Sequence, residues 1–386
     1  MTDRLYYHDS YLREFRGRVV DTAEEGRRVY LDRTAFYPSS GGQPFDVGTL
    51  SGVAVREVID EEDRIAHLLE SPLGEADVEG QIDWTRRFDH MQQHTGQHLL
   101  SAVLLELFGI PTLSFHMGAV SSNIEIGVDE LSPSRLDRVE DRCAGIIAEA
   151  RPVTVSFEDS TAGLGLRKPS DRAGTLRIVS IAGLDRSACG GTHLKTTAEI
   201  GPLFLRKLEK IRGNTRLDFV CGSRAYAHAR QDFRTLSEIS RLVSVPFEEA
   251  PAQIAALIEK SKSLEKSAQK TAAELAQREG RELYAAAVPD AEGVRRITQR
   301  GPIDEVMRAR AQAFTAGSKA IFLAVCENPP SILLAASPDA GIRAGDRVKA
   351  AVTAAGGRGG GNPALAQGSV PSAAALEEVA KALAGY

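Results

Sequence analysis

The sequence predicts an α+β chain: a small β-barrel, then a mixed α+β region, a helical segment and a C-terminal α/β domain. Three observations carry that reading. Short β-branched runs are confined to about the first 85 residues, the spacing turns helical beyond Thr85, and helices alternate with strands again over the last hundred residues. The 386 residues suit two or three domains at ~100–200 residues each. The expected boundaries are 1–85 for the barrel-like part, 86–224 for the α+β part, 225–286 for the helical segment and 287–386 for the α/β part.

In the first part, Arg18-Val-Val, Arg28-Val-Tyr-Leu and Gly52-Val-Ala-Val-Arg-Glu-Val-Ile are short runs bounded by turn formers, which a small barrel or sandwich accommodates. From His90 to Phe108, the residues Leu99, Leu100, Val103, Leu104 and Leu107 recur at helical spacing. Residues 134–150 read as a second helix capped by Ser134, and strands are expected near 152–157, 176–182 and 202–220. A further helix should end near Ser244, before Pro246, and another should start near Pro251. In that last helix Ile254, Ser261, Ala268 and Leu275 repeat every seven residues, as do Leu257, Leu264 and Thr271. The pattern predicts a helical hairpin or short coiled coil that joins domains, with self-association as the alternative. The remainder reads as a helix near 303–316, strands at Ala320–Val325 and Ile332–Ala336, a helix at 344–355, a glycine-rich loop (GGRGGGNPALAQGS, 356–369) and a helix at 372–384.

An apolar share of 42% excludes wholesale disorder. No run of 18 apolar residues occurs, and MTDRLYYHDSYLREF lacks the apolar stretch of a signal peptide. Four scattered cysteines cannot form a dense disulfide framework, so a cytoplasmic protein is expected. The net charge of −5 points to no nucleic-acid partner. Between Arg206 and Arg230, however, seven cations face two acids, which is either a phosphate-attracting patch or a solvated face.

Three motifs carry chemistry. In DHMQQHTGQHLL, His94 and His98 lie four apart on one helix face, with His90 a turn earlier, so two imidazoles can share one ion. In ACGGTH, Cys189 and His193 flank a glycine turn. A thiolate with three imidazoles suits tetrahedral zinc, while Cys189 as a nucleophile beside His193, or simply buried, stays open. The glutamate of H-E-x-x-H is replaced by Thr95, and the deaminase signature is absent. Four protein ligands normally close a zinc site, so water needs a vacated position or the ion chiefly shapes a pocket. The third motif, TAFYPSSGGQPFDVG (34–48), places Pro38, Gly41 and Gly42 in a loop whose amides can approach a ligand oxygen, or which is an ordinary hairpin turn.

Taken together, FYPSSGGQP at 36–44, HTGQHLL at 94–100, SFHMG at 114–118, CGGTH at 189–193 and GGRGGGNPALAQG at 356–368 resemble the AlaX-type alanyl-tRNA editing proteins in their long form, with a C-terminal DHHA1-like domain. Arg358 stands where the related pattern usually has lysine. The resemblance implies a zinc-dependent deacylase that clears serine, and glycine as a further substrate, from mischarged alanine tRNA. It makes residues 86–224 a zinc-containing editing domain. His94, His98, Cys189 and His193 take the metal-ligand roles. Thr34 becomes the pocket threonine, Gln43 with Gly41 and Gly42 the loop beside the substrate, and His116 a polar pocket residue, with Asp185 a weaker candidate. Candidate tRNA contacts are Arg206, Lys207, Lys210, Arg212 and Arg358. A homodimer through the helical segment or the C-terminal domain is the other role considered for those parts. No P-loop spacing occurs, and the β part comes first, so no ATP use and no aminoacylation are expected. The alternatives are a threonyl-tRNA-editing-like deacylase and a zinc-stabilised tRNA-binding module without catalysis.

Overall fold

The computed structural model describes residues 1–160, 163–169 and 174–385. The fold is mixed α+β, and it divides into two compact units, Met1–Glu238 and Ile239–Tyr386. In the first unit the six strands Glu14–Ala23, Arg28–Leu31, Arg64–Leu69, Val53–Glu61, Gly48–Leu50 and Asp77–Ile82 close, in that order, into a barrel. Its interior is filled by alternating side chains such as Val29, Leu31, Val55, Ile65 and Val78.

The helix that follows runs from Trp84 to Phe108, starting earlier than the apolar spacing suggests because the Asp83 side chain accepts from the Arg86 amide and caps it. Every residue from His90 to Leu104 is buried, so this helix is a core element rather than an amphipathic surface one. It packs with Ile124, Val139, Ile146, Val179, Leu217 and Phe219, and each such buried aliphatic contributes roughly 1.5–3 kcal/mol. A four-stranded sheet (Leu203–Ile211, Asn214–Cys221, Ser122–Ile126, Thr112–Met117) and a three-stranded one (Val153–Asp159, Thr175–Ile181, Asp185–Ala188) complete the unit. The second helix covers Pro133–Ala148; its cap position is Ser132 rather than Ser134, because Pro133 takes the first helical position.

The segment expected to stand between domains falls across the division. The helix Gly222–Val243 begins in the first unit, and Ala250–Ala286 belongs to the second, where Leu283 and Tyr284 pack on a core with Met307, Ala311 and Phe314. A five-stranded sheet organises that unit in the order Arg295–Arg300, Ala320–Glu327, Pro330–Ala336, Leu365–Ser369, Arg358–Gly361. Its central strands alternate faces: Ile321, Leu323 and Val325 meet Val348, Val352 and Leu376, while Phe322 and Ala324 meet Met307 and Phe314. Both faces are therefore covered, which explains the unbroken apolar run AIFLAVC. The glycine-rich stretch is not only a loop. Arg358–Gly361 pairs antiparallel with Leu365–Ser369, an edge hairpin that its composition conceals because glycine carries no strand signature. Among the described residues, no helix is long and apolar enough to cross a membrane.

Candidate metal centre

Helical spacing puts His94 and His98 on one face of the buried Trp84–Phe108 helix, and the turn after the Asp185–Ala188 strand brings Cys189 and His193 to meet them. One donor atom from each of the four lies within 4.8 Å of all the others. Cys189 Sγ is 3.5 Å from His94 Nε2 and 3.3 Å from His193 Nε2. A tetrahedral zinc with Zn–S of ~2.3 Å and Zn–N of ~2.0–2.1 Å has S···N edges of about 3.5 Å, so the donor set fits that ion. The second glycine of CGGTH is required here: a Cβ on Gly191 would lie 2.2 Å from His94 Cε1. His90 is outside the cluster. It is buried, and burial with Arg86, Arg224 and Arg87 nearby pushes it down to about 3.

Each imidazole is oriented through its other nitrogen. His94 Nδ1 donates to Gln43 Oε1 at 2.8 Å, and that oxygen also accepts from the Thr192 amide at 3.1 Å. His98 Nδ1 donates to Asp185 Oδ2 at 3.0 Å, and His193 Nδ1 meets Thr95 Oγ1 at 3.2 Å. The tautomers follow from these partners: an amide oxygen and a carboxylate can only accept, which leaves Nε2 bare and aimed inward. Such partners typically contribute 10–100-fold in metal affinity. Asp185 is itself held by Arg167 Nε at 2.8 Å, and despite its burial, His98 and Arg167 keep its carboxyl down at about 2. Burial alone would raise the Cys189 thiol, but His94 and His193 hold it well below its ordinary value, which favours the thiolate a metal needs.

The cluster opens through His94, His98 and Cys189 onto a cleft of about 570 Å³, with Gly41 and Phe115 on its wall. Phe115 stacks on His94 at 5.4 Å. Gly42, at φ +85°, sits where a Cβ would be 2.6 Å from the Phe115 carbonyl, and its own carbonyl accepts from the Met117 amide; the glycine pair thus clamps the loop to that strand.

The other expected site residues lie elsewhere. Thr34 is fully buried on a short strand that pairs with Asp3–Arg4 outside the barrel, and it does not line the cleft. His67 Nδ1 donates to the Val29 carbonyl, so its Nε2 must accept, and the Thr34 hydroxyl donates to it at 2.9 Å while accepting from the Phe36 amide. That hydroxyl has no proton left for a ligand. Gln43, also buried, acts on His94 rather than on anything in the cleft. His116 is exposed and off the cleft wall, because strand alternation that turns Phe115 to His94 turns His116 the other way. The basic patch is largely paired: Arg206 with Asp232, Lys207 and Arg216 with Glu209, Lys210 with Asp129, and Arg224 with Asp89. Arg358 is exposed on the edge hairpin. Missing from the sequence reading were Thr95 and Arg177. A lone arginine in the apolar strand TLRIVSI was the available signal for the latter.

Residues 176–217, which contain Cys189 and His193, match the model of the threonyl and alanyl tRNA synthetase second additional domain, and residues 307–386 match the DHHA1 domain. The alanyl-tRNA editing protein AlaX-L of Pyrococcus horikoshii is 37% identical over 61% of this chain and 61% of its own length. The mouse alanyl-tRNA editing protein Aarsd1 is 32% identical over 68% of this chain and 69% of its own. An alanine–tRNA ligase of Pyrococcus abyssi is 30% identical over 99% of this chain, which spans only 43% of that enzyme. Among solved structures, the C-Ala domain from Aquifex aeolicus alanyl-tRNA synthetase covers 23% of this chain and 89% of its own at 17% identity, with a TM-score of 0.20. The chain belongs to the alanyl-tRNA editing proteins, in the long form that carries a DHHA1 domain.

Proposed function

We propose that this chain is a trans-acting hydrolase that removes serine, and glycine as a further substrate, from mischarged alanine tRNA, with zinc at His94, His98, Cys189 and His193 and without aminoacylation activity. The observation that carries the reading is the convergence of those four donors at a cleft whose wall His94, His98 and Cys189 line, in a chain of the alanyl-tRNA editing family. When bound, zinc supplies Lewis acidity for an activated aminoacyl ester or its attacking water. The protein's own part is positional: Gln43, Asp185 and Thr95 aim the three imidazoles, and Phe115 covers one face of His94.

A synthesis pocket rejects an added hydroxyl only by about two orders of magnitude, so a second site that requires the hydroxyl is the efficient remedy. An alanyl ester would leave that site's buried polar partners unpaired. With Thr34 turned to His67, the requirement falls on groups lining the cleft. We assign tRNA contacts to Arg206, Lys207, Lys210, Arg212 and Arg358. The exposed ion pairs of the first three are worth little and exchange readily for phosphates.

The test supplies the purified protein with serine, glycine, threonine and alanine esterified to alanine and threonine tRNAs, with and without a chelator. Selective release of serine and glycine from alanine tRNA, lost on chelation and restored by zinc, is the expected result. Release of amino acid from threonine tRNA would replace this reading with a threonyl-type deacylase. Binding without release would reduce the protein to a tRNA-binding module.

A further inference from the structure

Among the described residues, four buried side-chain polar atoms of the first unit have no hydrogen-bond partner, and two of them, Tyr6 Oη and Arg177 Nη2, belong to side chains on the cleft wall. Tyr6 is 1% exposed and Arg177 8%, so leaving either donor unmatched costs stability unless something enters to meet it. The rest of the guanidinium is fixed. Its Nε donates to the Tyr7 carbonyl at 3.0 Å and its Nη1 to the Cys189 carbonyl at 2.6 Å, while its carbon lies 5.5 Å from the centre of the Tyr7 ring. Tyr6 packs edge-on against that same ring, with centroids 5.0 Å apart. Two unmatched donors are thus held around one aromatic platform, beside the residue whose sulfur enters the metal cluster.

The surroundings favour an anion. Arg4, Arg167, Lys168 and Arg177 line the cleft against one carboxylate, Asp60. Asp60 neutralises Arg4, and Asp185 neutralises Arg167, whereas Lys168 and Arg177 have no carboxylate partner among the described residues. A ligand that reaches the metal cluster and Arg177 together needs an ester and an anionic oxygen a few bonds apart. The aminoacylated terminal nucleotide of a tRNA has this arrangement, with the ester on its ribose and a phosphate at its 5′ carbon.

We propose that Tyr6 Oη and Arg177 Nη2 form a phosphate subsite that takes the 5′-phosphate of the terminal nucleotide, so that the protein positions its ester by gripping the nucleotide from the far side of the ribose. The proposal rests on the deacylase reading for its substrate, but not for its test. Calorimetry with the zinc-loaded full chain compares adenosine 5′-monophosphate with adenosine. A charge-assisted hydrogen bond predicts about 10–100-fold tighter binding of the phosphorylated ligand. Arg177→Gln should remove most of that advantage. Tyr6→Phe should reduce it several-fold with zinc content unchanged and no loss of thermal stability, since the proton it removes has no acceptor in the protein. Equal affinity for the two ligands would mean that these groups hold water alone, and would overturn the proposal. So would a phosphate advantage that survives both substitutions. As a second readout, 3′-O-seryladenosine with and without a 5′-phosphate is offered as substrate: Tyr6→Phe, which leaves the Arg177 bonds to Tyr7 and Cys189 in place, should raise KM for the phosphorylated ester and leave the other unaffected. The deacylase reading fails on absence of release from esterified alanine tRNA, and in that case the binding comparison still decides the subsite.

Discussion

His94 and His98 each have two nitrogens, and the protein settles which one faces inward by supplying an acceptor for the other. The same logic operates at His67, with a different outcome. There both nitrogens are taken, by the Val29 carbonyl and the Thr34 hydroxyl, and the ring is wholly buried. Burial pushes its pKa down to about 4, against ~6.5 in an unfolded chain. The unfolded state therefore takes up the proton first as pH falls. The stabilising contribution is complete above about pH 6.5 and is lost progressively toward pH 4. Denaturant midpoints measured at pH 7 and pH 5 should show this loss, and His67→Gln should make that part of the profile shallower, the remaining slope belonging to other buried histidines such as His90. A variant with an unchanged pH profile would contradict the assignment.

Among elements, the Trp84–Phe108 helix has the widest reach, because it serves both the barrel and the metal site. Arg87, fully buried in its second turn, pairs with the equally buried Asp46 and also donates to the Ser10 and Ala35 carbonyls. Asp46 in turn accepts from the Tyr37 amide at 2.7 Å, which anchors the loop that carries Gln43. One ion pair thus fastens the barrel loop to the helix that presents His94. Replacing a single partner strands a buried charge, so Arg87→Met should cost about 3–5 kcal/mol in urea unfolding. It should also weaken zinc retention, since Gln43 would no longer be held against His94. A loss below 1 kcal/mol would show that the pair contributes no net stability.

For the molecule as a whole, the two units carry separate cores. The division lies at Glu238 rather than after the helical segment, because Leu283 and Tyr284 at the end of Ala250–Ala286 complete a core of the second unit. A chain ending at Glu238 should therefore fold cooperatively and bind one zinc, whereas one ending at residue 286 would expose those side chains and aggregate. Light scattering and zinc analysis of both truncations check this; equal solubility would argue that the helix needs no partner. The extent to which the sequence anticipated all this follows the range of the interaction involved. The H-x-x-x-H pair was legible because four residues is one helical turn, and the C-terminal strands and helices because their apolar periods are local. The edge hairpin escaped because glycines have no period. Thr34 looked like a free hydroxyl in a loop; that its proton goes to His67, 33 positions away, depends on packing between segments that are not paired strands.

Residue types and spacing alone thus established which side chains could bind a metal and which segments would be helix or strand, since both depend on contacts within a few turns of chain. Folding in three dimensions determined which of those side chains meet, which nitrogen each ring presents, and that Arg177 and Tyr6 keep a donor unmatched. A donor has one proton and a buried group one set of neighbours, and only packing between distant segments assigns them.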